Sequence, residues 1–344
     1  FVPLLEKLQG LFEGVKGYVV MTDRAHMPET SLPNVMCYEE LVGEQSDEMA
    51  WPEFDEHTAS SLCYTSGTTG NPKGVLYSHR STLLHAFSVL TIPGMNLGEE
   101  SAVLPVVPMF HVNAWGVPYF APMVGAKIVF PGPKLDGESL AELINNEGVT
   151  EAWGVPTVWL ALLDYLAKAN KSVDSLNRVT VGGAACPEMI MEQFQNQYGG
   201  DVQQAWGMTE MNPLGTFNGG IPPLLDGISD EQRKKLRLKQ GRPSFGVDIK
   251  VVDADNNELP WDGESSGAVK VRGPWIVNDY YGYDGKTLDE DGWFETGDVA
   301  CFDEYGYMQI TDRLKDVIKS GGEWISSIEL ENCAVNHPKV AEAA

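Results

Sequence analysis

The sequence predicts an α/β fold: a large domain with a mostly parallel sheet flanked by helices, followed by a smaller β-rich part. Three observations carry this. Between residues 139 and 206 strand-like and helix-like runs alternate, the pattern of successive βαβ units. After residue 240 the pattern changes to short strands separated by turns. Earlier, a loop with three glycines and one cation, Thr65-Ser66-Gly67-Thr68-Thr69-Gly70-Asn71-Pro72-Lys73-Gly74, separates two strand-like stretches.

In chain order, Gly17-Tyr18-Val19-Val20-Met21 reads as a strand and Tyr38-Glu39-Glu40-Leu41 as the start of a short helix, so the chain is expected to open in mid-domain. Ser61-Leu62-Cys63-Tyr64 is expected to be a short buried strand, with Val75-Leu76-Tyr77-Ser78-His79 as the next. The stretch from Leu104 to Phe130 is long enough to span a membrane, but it holds Pro105, Pro108, Pro118 and Pro122 with His111 and Asn113. It reads instead as buried strands and loops. Ser139 to Ile144 is helical and Val149 to Gly154 a strand. Pro156 opens a helix through Leu160, Leu163 and Leu166, with proline at its tolerated position. Arg178 to Gly183 is a strand, Pro187 starts a helix ending near Gly199, and Asp201 to Trp206 returns as a strand. Val247 to Asp253 is a strand closed by the turn Ala254-Asp255-Asn256-Asn257. No internal repeat is evident.

At 344 residues, 43% of them hydrophobic, the chain is long enough for two domains and a large core. Its 24 basic and 49 acidic residues give a net charge of −25, which argues against nucleic acid or an anionic membrane as a partner. A nucleotide would have to be held by a local cationic pocket working against that field. Five scattered cysteines, Cys37, Cys63, Cys186, Cys301 and Cys333, form no CxxC pair, so neither a zinc site nor a disulfide framework is expected. A reducing cytoplasm is the default reading. Residues 1 to 20 carry no charged segment followed by an apolar core, so no signal peptide is read there.

The Gly-rich loop is suited to phosphate. Glycines let backbone N–H groups approach an anion, hydroxyls add neutral donors, and Lys73 supplies charge. The spacing Gly-x-x-Gly-x-x-Lys-Gly is not that of a P-loop, and Gly74 stands where a hydroxyl would be required. A loop leaving a strand end is where α/β folds place ligands. Downstream, Trp206-Gly207-Met208-Thr209-Glu210 puts a hydroxyl and a carboxylate at a strand end, and beside a triphosphate Glu210 would suit magnesium. Trp293-Phe294-Glu295-Thr296-Gly297-Asp298 places an acid after a glycine turn, suited to two ribose hydroxyls. The run from Asp312 to Glu323 packs Arg313, Lys315 and Lys319 before the double glycine Gly321-Gly322.

Taken in this order, these motifs resemble the acyl-adenylate-forming (AMP-binding) superfamily of acyl- and aryl-CoA ligases, luciferases and nonribosomal adenylation domains. The resemblance runs from about Thr58 to Glu331. It implies a large adenylation domain with an incomplete α/β core over 1–238 and a β-rich subdomain over 239–314. The hinge and truncated start of an α+β C-terminal lid domain would follow over 315–344. ATP, Mg2+ and coenzyme A are the implied cofactors, a carboxylic acid the substrate, and a homodimer is left open. Thr65 to Lys73 would grip the ATP phosphates. Gly183, Ala184 and Ala185 with Gln204, Ala205, Trp206, Gly207, Met208 and Thr209 would surround adenine and the acyl adenylate. Thr65 and Glu210 would hold the metal, and Asp298 with Arg313 the ribose. Lys315 falls at the hinge, and Ser320-Gly321-Gly322-Glu323-Trp324 would follow the coenzyme A arm. Lys73, Thr209, Glu210 and His111 form the implied catalytic set.

Within the superfamily, Pro108-Met109-Phe110-His111-Val112-Asn113-Ala114-Trp115-Gly116 is similar to the aromatic-gate segment of fatty acyl-CoA ligases. With Gln204 to Gly207 it looks most like short- and medium-chain ligases, including those acting on 3-methylmercaptopropionate. His111, Val112, Trp115, Gly182, Gly183, Trp206 and Gly207 would line the acyl tunnel. Its two tryptophans would shorten it, and Met208 and Met211 would offer polarizable surface. An aryl-CoA ligase and a non-catalytic nucleotide-binding module are the alternatives. The family's adenylating lysine lies beyond the hinge in the lid domain, so the resemblance also implies that these 344 residues are a piece of a ligase.

Overall fold

The computed structural model describes residues 1–65 and 71–320, the strand Glu323–Ile325, and residues 327 and 330. Contacts divide the chain into two units, Phe1–Phe54 and Asp55–Ala344. In the first, helix α1 (Val2–Leu8) precedes strands β1 (Tyr18–Val20) and β2 (Val35–Cys37), which pair in parallel, and helix α2 (Tyr38–Gly43) follows. The expected strand at Gly17 to Met21 and helix at Tyr38 are both present.

The second unit begins with β3 (Ala59–Tyr64), β4 (Gly74–Ser78) and α3 (His79–Leu90). Then come β5 (Ala102–Pro105), the turn α4 (Val112–Trp115), α5 (Val117–Met123), β6 (Lys127–Ile128), α6 (Gly137–Glu147) and β7 (Glu151–Gly154). Next are α7 (Pro156–Ala169), β8 (Arg178–Val181), α8 (Glu188–Gln193), β9 (Asp201–Gly207), β10 (Leu214–Asn218), α9 (Asp230–Arg237) and β11 (Arg242–Pro243). The last part holds β12 (Asp248–Val252), β13 (Gly267–Arg272), β14 (Tyr280–Tyr281), β15 (Phe294–Phe302), β16 (Met308–Arg313), β17 (Ile318–Ser320) and β18 (Glu323–Ile325).

A seven-stranded sheet, ordered β11-β10-β9-β8-β7-β5-β6, forms the centre. Strands β5 to β9 run parallel, and β10 and β11 close one edge antiparallel. Helices supply the crossovers. α7 starts at Pro156, buries Trp159, Leu162, Leu163 and Leu166 at helical spacing, and stops at Asn170 in the left-handed region. α6 is capped by Asp136, whose carboxylate accepts the Ser139 N–H, and ends at Gly148 with φ 62°. These faces and Phe194 fill one core under the sheet. Its other face packs a second core that is continuous with the antiparallel sheet β12-β13-β15-β16. This sheet accounts for the β-rich pattern after residue 240. A third sheet, β14-β4-β3, is antiparallel throughout.

Two expectations need correction. Leu104 to Phe130 holds helix α5 besides strands, because Pro118 falls in its first turn, where a missing N–H costs nothing. β3 is not buried: it is an edge strand, and only Cys63 of the expected four residues is enclosed. The helix expected to end near Gly199 continues from α8 as a wider turn over Phe194–Tyr198 and closes at Gly199. Among the described residues no helix is long and apolar enough to cross a membrane, and Cys37, Cys63, Cys186 and Cys301 are free thiols.

Trp159 ties α7 to the sheet, its indole N–H donating to Gly154 O at 3.2 Å and its ring meeting Phe194 edge-on at 6.3 Å. Trp159→Ala is expected to cost about 3–5 kcal/mol of unfolding free energy. Urea titration followed by far-ultraviolet circular dichroism checks this.

Candidate active site

Strands β3 and β4 are antiparallel with Tyr64 opposite Gly74, so the Gly-rich loop is a hairpin connection and not a crossover into a helix. Its base is closed twice: Thr65 N–H donates to Lys73 O at 2.9 Å, and Lys73 N–H donates to Thr65 Oγ1 at 3.1 Å. Ser66, Gly67, Thr68, Thr69 and Gly70 lie outside the described residues. The Lys73 ammonium sits over the rings of Tyr280 and Tyr283, at 4.6 and 5.0 Å from their centroids.

Two tyrosines join this sheet to the end of β9. Tyr77 donates its buried hydroxyl to Thr209 O at 2.5 Å. Tyr280, brought in by the pairing of β14 with β4, donates to Glu210 Oε1 at 2.7 Å. Burial and the Glu210 carboxylate push the Tyr280 hydroxyl upward from its ordinary value, so it stays a donor. Glu210 is thus held in a buried 3-10 turn with Thr209.

Three cavities meet here, and Met208 borders all of them. The first, of about 180 Å³, is lined by His111, Val112, Trp115, Gly182, Gly183, Trp206, Gly207, Thr209, His85, Val89, Trp153 and Leu214. It is apolar. A Cβ on Gly182 would lie 2.9 Å from the Trp115 ring, so only glycine lets that indole into the wall. Burial lowers the half-buried His111 from its ordinary value and pushes the fully buried His85 down to about 3, so both rings are neutral near pH 7.

The second cavity, of about 280 Å³, takes Gly183, Ala184, Ala185, Gln204 to Met208, Gln240, Ile310, Asp312, Asp298 and Arg313. Strand register sets Asp298 opposite Arg313, and their side chains pair at 2.8 Å. The Trp206 indole N–H donates to Asp298 at 3.0 Å. Burial raises the Asp298 carboxyl from its ordinary range, and Arg313 and Trp206 work against that rise. The third cavity, of about 590 Å³, is polar: Lys73, Glu210, Tyr280, Lys286, Thr287, Glu295, Thr296, Arg313 and Lys315 border it.

The structure therefore gathers His111, Val112, Trp115, Gly182 to Ala185, Gln204 to Glu210, Lys73, Asp298, Arg313 and Lys315 around one continuous groove. Thr65 does not line it. Met211 is fully buried in the core and does not line the first cavity. Gly321 and Gly322 lie outside the described residues, and Glu323 and Trp324 are described only as backbone of β18. Sequence reasoning missed His85, Trp153, Tyr280, Tyr283, Lys286, Thr287 and Gln240. The Tyr280-Tyr281-Gly282-Tyr283 run was the one local signal for any of these.

The wall of the first cavity also carries a strained segment. Val112, Asn113, Ala114 and Trp115 have φ of 49, 51, 50 and 56°, a left-handed turn continued by Gly116 at 85°. Such a turn costs ~1–2 kcal/mol per residue. It is held by burial of Val112, Ala114 and Trp115 and by Asn113, whose amide donates to Ser61 Oγ on β3 at 2.8 Å.

A family model described as AMP-binding enzyme matches residues 10–281. The chain is 50% identical over 344 residues to a medium-chain-fatty-acid–CoA ligase of Ectopseudomonas oleovorans, covering all of this chain and 63% of that protein. It is 52% identical over 345 residues to a 3-methylmercaptopropionyl-CoA ligase of Ruegeria lacuscaerulensis, again covering all of this chain and 64% of that protein. The chain thus spans less than two thirds of the length of either relative. Among solved structures, the O-succinylbenzoate coenzyme A synthetase of Bacillus subtilis in complex with ATP and magnesium ion superimposes with a TM-score of 0.72 at 26% identity, over 98% of this chain and 68% of that one.

The hydrogen bond from Trp206 to Asp298 serves a buried carboxylate, so Trp206→Phe is expected to cost about 1.5–3 kcal/mol of stability. In an Asp298→Asn background the same change should cost clearly less. A double-mutant cycle by urea denaturation checks the coupling.

Proposed function

Because the chain belongs to the AMP-binding enzyme family, we propose that it is the adenylate-forming part of an ATP-dependent acid–thiol ligase that activates a short- or medium-chain carboxylic acid. The observation that carries this reading is the groove itself: an apolar cavity, a cavity bearing an acid suited to a diol, and a cationic cavity, all bordered by Met208.

The reaction asks for that order. A carboxylate oxygen attacks the α-phosphorus of ATP, an acyl–oxygen–phosphorus bond forms, the bond to the bridging β-phosphate oxygen breaks, and pyrophosphate leaves. A thiol, that of coenzyme A, then attacks the acyl carbonyl and AMP leaves. No nucleophilic side chain is needed; the protein orients two anions and offsets their charge. In this reading Lys73 and the hairpin N–H groups hold the phosphates. Gly183 to Ala185 and Gln204 to Thr209 surround adenine and the adenylate, and Asp298 with Arg313 binds ribose. His111, neutral at the border of the acyl cavity, stands between acid and thiol without adding charge. Lys315 serves as the hinge, and Ser320 to Trp324 follows the coenzyme A arm.

Glu210 suits a magnesium ion. It lines the cationic cavity as a carboxylate already oriented by Tyr280, Glu295 being the other acid at that cavity, and among the described residues no cluster of three metal-ligating side chains is present. Magnesium takes few protein oxygens and several from phosphate, and when bound it would neutralise phosphate charge. Thr65 is the second residue of the metal set in this reading; its Oγ1 accepts the Lys73 N–H at 3.1 Å and keeps a second lone pair. The four free thiols among the described residues fit a reducing, cytoplasmic setting.

The volume of the first cavity supports the substrate class proposed. A dry cavity of ~150 Å³ takes benzene, with six carbons. The ~180 Å³ here supports acids of roughly four to eight heavy chain atoms.

Two tests follow, both on the full-length ligase. Glu210→Gln and Lys73→Ala should each remove roughly 2–4 kcal/mol of transition-state stabilisation from adenylation. Acid-dependent exchange of pyrophosphate into ATP measures this, and exchange within threefold of wild type in both variants defeats the assignment. Trp115→Ala should shift the chain-length optimum upward, each newly buried methylene contributing about 0.8 kcal/mol. Profiles of kcat/KM across saturated acids decide: a parallel, uniformly lower profile assigns Trp115 to the core alone.

A further inference from the structure

We propose that Lys286 and Thr287 form a second phosphate-binding pair, supplied by the loop after β14, that acts with Lys73 on the polyphosphate end of the nucleotide. This rests on the proposed function, which places a nucleoside triphosphate in the groove. The sequence pattern offered no hint of either residue.

Four cations border the 590 Å³ cavity: Lys73, Lys286, Arg313 and Lys315. Arg313 is paired with Asp298, Lys315 lies 3.9 Å from Asp316, and Lys73 rests over two tyrosine rings. Lys286 is exposed and makes no ion pair, hydrogen bond or ring contact with any described residue. Beside it, Thr287 lines the same cavity, and its Oγ1 is buried without a hydrogen-bond partner, so a side-chain rotation would present it to an acceptor there. An unpaired buried hydroxyl is costly, and a phosphate oxygen is an acceptor that would satisfy it.

The loop is anchored so that this pair stays where it is. At one end, β14 pairs with β4, setting Tyr281 opposite Gly74, the residue after Lys73. Lys73 therefore directly precedes the paired backbone, and Lys286 follows it five residues after Tyr281. In between, a Cβ on Gly285 would strike the Tyr283 ring at 2.4 Å, so glycine alone lets that ring pack on the loop and still face Lys73. At the other end, Leu288 packs against the core, and Asp289 pairs with Lys270 at 2.9 Å and accepts the Trp293 N–H at 2.9 Å. On a chain of net charge −25, a free cation beside an unpaired hydroxyl in a cavity already holding Lys73 is suited to a polyanion.

The test is calorimetric titration of the protein with Mg·ATP, inorganic pyrophosphate and AMP in turn. Lys286→Gln should weaken Mg·ATP and pyrophosphate about tenfold and leave AMP within twofold, since one charge-assisted contact is lost. It should also flatten the dependence of ATP affinity on NaCl between 50 and 300 mM. Thr287→Val should weaken the same two ligands about fivefold, with Thr287→Ser close to wild type. Mg·ATP and pyrophosphate affinities unchanged in both Lys286→Gln and Thr287→Val overturn the proposal. So does an equal loss for ATP and AMP, which would mean that the loop matters only for folding. A wild-type protein that binds neither ATP nor AMP overturns the proposed function instead. Pyrophosphate binding that disappears in Lys286→Gln would still uphold the pair in that case.

Discussion

Everything in the groove depends on holding the Trp206 indole at the end of β9. One edge of the ring donates to a carboxylate that lies in another sheet, while the residue borders both the first cavity and the neighbouring one that holds Asp298. Asp298 is buried, and a buried charge must be paired. Its partners come from β9 and from β16, so satisfying it fixes the central sheet against the four-stranded one. The groove lies where these two sheets meet, and its shape follows from that electrostatic requirement more than from apolar contact.

A second seam repeats the logic. Tyr77 and Tyr280 both stand on the three-stranded sheet, and both donate hydroxyls to consecutive residues, Thr209 and Glu210. The hairpin that carries Lys73 is thus registered against the end of β9 by two hydrogen bonds with little freedom in length. Charge is distributed accordingly. The chain carries a net charge of −25, yet Lys73, Lys286, Arg313 and Lys315 collect at one cavity beside Glu210 and Glu295.

Much of this was legible in the sequence where the information was contiguous. The strands β7 to β9 and the helices between them announce themselves through period, proline starts and glycine or asparagine stops, because each is decided within a dozen residues. The loop at Thr65, the run from Gln204 to Glu210 and the acid at Asp298 were readable for the same reason. What escaped was set by distant partners. The exposure of β3 depends on its edge position, which its own apolar residues do not reveal. Helix α5 was obscured by its prolines, of which one lies in the first turn. Met211 looked like cavity surface by proximity to Met208, but the 3-10 turn directs it into the core. Tyr280 meets Glu210 across seventy residues, and no local period encodes such a meeting.

The left-handed turn from Val112 to Trp115 reverses the usual arithmetic of mutation. In ordinary helices glycine costs about 0.5–1 kcal/mol relative to alanine. At φ near +50° the backbone favours glycine over valine, alanine or tryptophan at every one of these positions. Val112 and Trp115 keep their side chains in the cavity wall and Ala114 is buried in the core beside it, so sequence drift faces two opposed demands at these residues. A glycine would relax the mirror-image turn and open a gap in the cavity wall, whereas a bulkier residue would tighten the wall and leave the backbone strain in place. The segment is therefore a place where conformational ease and the shape of the cavity are traded directly against each other, residue by residue.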